Sequence, residues 1–108
     1  MRELAHPDTA DIRLTDVMHA LSDPVRLAAV RQLAATGERH CGALHEGGVA
    51  ASTMTHHLRV LREAGVTRTH VVGRERLVSL RREDLAVRFP GLLDAVLTAG
   101  QSEDLRVR

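Results

Sequence analysis

A chain of 108 residues with 44% hydrophobic content has the size of one domain with one modest core, and is too apolar for a disordered polypeptide. Fifteen basic against fourteen acidic side chains leave a net charge of +1, so bulk charge alone points to no nucleic acid. No apolar run approaches the roughly 20 residues of a membrane span, and the N-terminus MRELAHPDTAD has no apolar signal core. With Cys41 as the single cysteine there is no internal disulfide framework, and the expected setting is a reducing cytoplasm.

Residues 1–10, carrying His6-Pro7, read as a flexible arm. Ile12, Val17, Met18 and Leu21 then give the apolar period of a first helix from about Asp11. Ser22-Asp23-Pro24 offers an N-cap followed by Pro at the first helical position. The second helix that follows buries Val25, Ala29, Val30 and Leu33 and stops near Thr36-Gly37. A short helix is expected around Cys41 to Glu46, ended by Gly47-Gly48. Ser52 to Gly65 reads STMTHHLRVLREAG, a helix closed by Gly65. Its buried stripe is Met54, Leu58 and Leu61, at the i, i+4, i+7 spacing. After Gly65 the period shortens. Val66 to Val72 and Arg76 to Leu80 are rich in β-branched residues and flank Gly73, which predicts a two-stranded hairpin. Leu85, Phe89, Leu92, Leu93, Val96 and Leu97 mark a last amphipathic helix with Pro90 near its front, and residues 99–108 read as a flexible tail.

The expected fold is mainly α with a small β-hairpin: a single winged helix-turn-helix domain over residues 1–108, of about five helices and a two-stranded wing. On the Ser52 helix, Ser52, Thr53, Thr55, His56 and Arg59 make a polar face opposite the buried stripe. Such a face can donate and accept hydrogen bonds, which is what base edges in a major groove require. Charge supports this placement. Residues 52–82 hold seven Arg against two acids, whereas residues 1–51 and 83–108 are each net acidic by two. A basic middle between acidic ends is an electrostatic footprint. Arg59 suits a phosphate or a guanine edge, and Arg74 and Arg76 at the hairpin tip suit phosphate or a minor groove. His57 points to the buried side and is assigned a structural hydrogen bond. Phe89 is the one aromatic residue, which disfavours the stacking platforms of single-strand binders and favours duplex DNA.

Three stretches carry a family resemblance: SDPVRLAAVRQL (Ser22 to Leu33), STMTHHLRVLREAGV (Ser52 to Val66) and GRERLVSL (Gly73 to Leu80). Together they resemble the dimerised winged-helix regulators of the bacterial ArsR family, in its Asp-Pro-x-Arg segment, recognition helix and wing. The resemblance implies a homodimer on a palindromic operator, usually repressing, and releasing DNA when a metal ion or other signal binds. It places the dimer interface on the first and last helices, here Leu14, Val17, Met18, Phe89, Leu92, Leu93, Val96 and Leu97. Where the family often caps the recognition helix with a polar residue, this chain has Ala50-Ala51, leaving Ser52 as a substitute cap. Where thiolate sensors carry Cys-x-Cys, this chain has His40 and Gly42 on either side of Cys41, and its last helix has no histidine.

The remaining metal candidates are His6, His40, Cys41 and His45, an imidazole-rich set that would suit Ni or Zn as effector. The five-residue spacing of His40 and His45 aligns poorly on one helix, and an isolated histidine is ordinarily structural. Cys41 and His45 at i, i+4 could pair a thiol with a base, but no orienting group accompanies them, so no enzyme is expected. Two further readings stand beside the DNA-binding regulator: a winged helix used as a protein-interaction module, and a redox response through Cys41.

Overall fold

The computed structural model describes residues 2–44 and 49–107. In chain order the elements are β1 (Arg2–Glu3), a 3-10 turn (Thr9–Asp11), α1 (Leu14–Leu21), α2 (Pro24–Thr36), β2 (Arg39–His40), a second 3-10 turn (Cys41–Leu44), α3 (Ala51–Glu63), β3 (Thr67–Val72), β4 (Glu75–Leu80), α4 (Arg82–Arg88) and α5 (Leu92–Val107). The strands form one antiparallel sheet in the order β1-β3-β4-β2. Helices α1, α2 and α3 pack on one another, α3 leans on β3, and α5 returns to α2. Ile12, Val17, Val30, Leu33, Leu44, Leu61, Val66 and Val78 are the fully buried centre where these layers meet.

Local chemistry sets the boundaries of the two helices expected to carry the motif. Asp23 caps α2, its carboxylate accepting from the N–H groups of Val25 (2.9 Å) and Arg26 (3.1 Å), with Pro24 at the first helical position. Burial pushes the Asp23 carboxyl up, but the Arg26 N–H and the donors and charges around it more than offset this and hold it below its ordinary value. At the other end of the motif α3 closes in a Schellman turn. Val66 N–H donates to Leu61 O, Gly65 N–H donates to Arg62 O, and Gly65 has φ +88°. Here glycine is required twice over, because a Cβ would also lie 2.6 Å from Ile12 Cγ1.

The hairpin register runs from Thr67 opposite Leu80 to Val72 opposite Glu75, leaving Gly73-Arg74 as a two-residue loop. Gly73 has φ +62° and no non-glycine residue described has positive φ, the pattern of a type II′ turn. The predicted wing is therefore present, but it is the middle of a larger sheet. Two-residue strands β1 and β2 pair on its two edges.

Several expected boundaries move. The segment read as a flexible arm is tied down along the sheet: Leu4 N–H donates to Thr69 O and Thr69 N–H to His6 Nε2. Thr9 Oγ1 donates to Asp84 at 2.7 Å, and Arg81 Nη1 donates to Pro7 O at 2.7 Å. The first helix begins at Leu14 and not near Asp11, because Ile12 stays extended and buried while Arg88 donates twice to its carbonyl. The helix expected over Cys41 to Glu46 is a single 3-10 turn over Cys41–Leu44, with the rest of that span outside the described residues. The pairing of Arg39–His40 with β4 fixes the chain as strand up to its first residue. The single last helix is two, α4 and α5. Phe89, preceding Pro90, leaves the helical region at φ −138°, ψ 76°, and Gly91 turns the chain at φ +82°. Nor are the described residues of the expected tail, 99–107, loose. Helix α5 runs through them to Val107, and Gly100 is buried where a Cβ would meet Arg31 of α2 at 3.2 Å.

Candidate nucleic-acid interface

Helix α3 presents the two faces its spacing implies. Met54, Leu58 and Leu61 are buried, while Ser52, Thr53, Thr55, His56 and Arg59 are exposed. The N-cap is Ala50, in extended conformation and without a side-chain cap, and the helix starts at Ala51. Ser52 is thus not the substitute cap; it lies inside the first turn with its side chain on the surface. Thr55 Oγ1 donates back to Ala51 O at 3.0 Å, which leaves its oxygen as an outward acceptor.

His57 faces the other way. Its Nδ1 lies 3.2 Å from Arg26 Nη1 and 3.9 Å from Asp23 Oδ2. A guanidinium has only donors, so the ring nitrogen accepts. Arg26 is itself buried and donates from Nε to Ala20 O (2.7 Å) and from Nη2 to His19 O (3.2 Å). One guanidinium thereby joins the end of α1, the start of α2 and the middle of α3. That network sets the orientation of the helix whose opposite face is polar. His56 stays outside it, its ring tilted against that of His57 at 5.9 Å.

The arginines of the basic stretch divide by partner. Arg81 is 4% exposed and donates to Asp84 and to Pro7 O. Arg68 meets Asp84 at 3.5 Å, and Arg82 donates to Ala34 O. Asp84, receiving the Thr9 hydroxyl and then the Arg81 guanidinium, is held below its ordinary carboxyl value. Arg59, Arg62, Arg74 and Arg76 have no hydrogen-bond or ion-pair partner among the described residues. Arg59 on α3 and Arg74 and Arg76 on the wing are also exposed. The seven charges counted in the sequence therefore reduce to four that are available to a ligand.

Between α3 and the sheet lies a cavity of about 290 Å³ lined by Leu4, Cys41, Thr55, Leu58, Arg59, Arg62, Thr69 and Arg76. Arg62 was not among the expected site residues. The signal for it is the run Thr55, Arg59, Arg62 at i, i+4, i+7, a second stripe beside the buried one. Cys41 is half-buried, and burial pushes its thiol up against the opposing pull of Arg76 and Arg62.

The metal candidates are not drawn together. His6 accepts from the β3 backbone, while His40 sits on the edge strand β2 with its Nδ1 3.0 Å from Glu75, and β4 lies between those two strands. His45 lies outside the described residues. Among the described residues no three His, Cys, Asp or Glu side chains are grouped to hold a metal ion. Those named for Ni or Zn therefore do not form a site within the described protomer. Of the residues assigned to a dimer interface, Val17 (1% exposed) and Leu93 belong to the protomer's own core and have no surface to offer. Leu14 (43%) and Met18 (57%) are exposed on α1, and Phe89, Leu92, Val96 and Leu97 are half-buried around α5. Val87, at 75%, joins the exposed set. No helix among the described residues is long and apolar enough to cross a membrane.

Residues 21–70, which span α2, α3 and most of β3, match the family model described as a helix-turn-helix domain. The chain is 38% identical over 82 residues to the HTH-type transcriptional regulator YceK of Bacillus subtilis (strain 168), covering 74% of this chain and 82% of that one. Among solved structures it is similar to a crystal structure of an ArsR family transcriptional regulator, with TM-score 0.64 and 28% identity, over 88% of this chain and 98% of the other. It is also similar to the transcriptional repressor BigR from Xylella fastidiosa, with TM-score 0.62 and 28% identity, over 80% and 84%.

Proposed function

Because the chain belongs to the ArsR family of winged helix-turn-helix transcriptional regulators, we propose that it binds an operator in duplex DNA as a homodimer and represses until a small ligand releases it. It is a regulator and not an enzyme. The observation that carries the DNA reading is the set of exposed, unpartnered guanidiniums at two separate points, Arg59 on α3 and Arg74 with Arg76 on the wing. In this reading α3 enters the major groove. Ser52, Thr53, Thr55 and His56 reach base edges, Arg59 takes a phosphate or a guanine, and the wing tip reaches phosphate or the adjoining minor groove.

Exposed Leu14, Met18 and Val87, with the half-buried apolar residues of α5, supply the surface for a second copy of the chain. Two copies related by a two-fold axis would present two α3 helices to half-sites about one helical turn apart, on the cytoplasmic DNA that such a regulator reads. A fluorescence anisotropy titration with duplex DNA from upstream of its own coding sequence tests this. A salt-dependent affinity for that duplex over an unrelated one is expected. Equal affinity for both, or none, removes the sequence-specific reading and leaves the protein-interaction alternative.

A further inference from the structure

The cavity between α3 and the sheet has a chemistry that duplex recognition does not use. Three guanidiniums converge on it, from Arg59 and Arg62 on α3 and Arg76 on β4, and none has an acidic or carbonyl partner among the described residues. The Nε of Arg62 is buried and makes no hydrogen bond. A donor on a charged group is expensive to leave unsatisfied, so the Arg62 guanidinium, which lines the cavity without a partner among the described residues, favours an anion brought beside it. None of the described groups in the wall bonds that Nε. Among the described residues the remaining polar side chains of the wall are the hydroxyls of Thr55 and Thr69 and the thiol of Cys41, and none is a carboxylate.

The cavity also has an apolar extension. A second cavity of about 210 Å³ adjoins it, sharing Cys41, Thr55 and Leu58 and continuing past Met54, Ala51 and Gly42. A charged end and an apolar end separated by one shared wall describe an amphipathic guest. The backbone of a duplex is a continuous polymer that touches the rim, where Arg59 and Arg76 are exposed. The half-buried Arg62 and Cys41 stand deeper, where a detached small molecule fits and a strand does not.

We infer that this cavity binds a small organic anion, a phosphate or carboxylate carried on a short apolar body, with the anionic group on Arg59, Arg62 and Arg76 and the body beside Met54 and Gly42. Bidentate geometry makes guanidinium the suited partner for either anion. Binding occupies Arg59 and Arg76, so the same ligand withdraws two of the charges offered to DNA. In that respect the inference rests on the DNA-binding reading above, and it supplies the release signal that reading needs.

The test uses phenyl phosphate and inorganic phosphate as probes on the full chain, at constant ionic strength. In the absence of DNA, phenyl phosphate is expected to shift the Arg62 Nε–Hε NMR resonance saturably, with inorganic phosphate about tenfold weaker because it leaves the apolar extension empty. Arg62→Met is expected to lose at least about tenfold in phenyl phosphate affinity while keeping its thermal transition. A second variant guards against misfolding. Gly42 lines the extension and a Cβ there meets nothing within 4 Å, so Gly42→Leu adds bulk at its wall without a clash and should weaken phenyl phosphate but not inorganic phosphate. In anisotropy, phenyl phosphate should displace the upstream duplex from the wild type and not from Arg62→Met.

No saturable shift up to about 10 mM phenyl phosphate, with DNA binding intact, overturns the anion site and leaves the regulator reading standing. Equal affinity for the two probes overturns the organic body. Saturable anion binding with no effect on bound DNA overturns the release mechanism. Failure of the untreated protein to bind any duplex is the separate failure of the DNA reading.

Discussion

The arginines around α4 and those between α3 and the wing do opposite work. Arg81, Arg88 and Arg68 are spent inside the protomer: on Pro7 O, on Ile12 O, on Asp84. Each ties the N-terminal segment or strand β3 to the helix that follows the wing or to the residue that opens it. Arg59, Arg62, Arg74 and Arg76 have the same chemistry and no internal partner among the described residues. The difference shows that a count of basic residues along a chain measures neither stability nor binding until each guanidinium is assigned an acceptor. Those already satisfied hold the fold, and those left over mark where a ligand's charge belongs.

Substitutions that cross this division should separate folding from binding. The largest effect is expected from Arg81→Ala, which removes a buried guanidinium from the part-buried Pro7 carbonyl and from Asp84. We expect a loss of about 2–4 kcal/mol, seen as a fall in Tm on the order of 10 °C, with DNA affinity unchanged well below that transition. Arg59→Ala and Arg76→Ala should do the converse. Each is expected to cost about tenfold in affinity for the duplex and to lower the slope of log affinity against log salt by about one where a phosphate contact is lost. Their stability should move by less than about 0.5 kcal/mol. A Tm drop in these two variants, or unaltered DNA binding, would break the contrast.

Acid provides a finer test of the satisfied group. Thr9 and Arg81 hold the Asp84 carboxyl below its ordinary value of 3.8, so the folded state binds that proton less readily than the unfolded state. Its contribution to stability is complete above the unfolded value and is lost as pH falls through 3.8 toward the lower folded value. Asp84→Asn should therefore be less stable than wild type near neutrality by about 1 kcal/mol, with the gap closing in acid, as followed by urea unfolding across that range. The smallest effect belongs to Arg82→Ala. Its hydrogen bond to Ala34 O is exposed, and a change below about 0.5 kcal/mol is expected in both stability and DNA affinity.

Legibility followed how local each cause is. Helix α3 and its closure could be read directly because a three-residue apolar stripe and one glycine specify them within a dozen positions. Asp23-Pro24 is equally local, and so is the Gly73 turn. What escaped depends on distant partners. Nothing in Arg2-Glu3 or Arg39-His40 announces a strand, because two residues carry no period and the edges of β3 and β4 dictate the pairing. The arm and the first helix were misplaced for a related reason: Ile12 is extended on account of Arg88, 76 residues away. The polar side of the site was legible as a face of α3. The cavity beneath it was not, because Arg76, Cys41 and Leu4 reach it from three separate elements or connections.

Gly65 has a geometric consequence beyond its turn. Ile12 fills the space where its side chain would stand, and Arg88 clasps the carbonyl of that same Ile12. The exit of α3 into the first strand of the wing is thus seated on a residue that belongs to neither. The distance and angle between α3 and the wing tip are a dimension of the protein, and a missing methyl group sets it. A larger residue at 65 would act as a shim, rotating the wing against the helix. Its first symptom would be a changed preference for groove width and spacing in the operator.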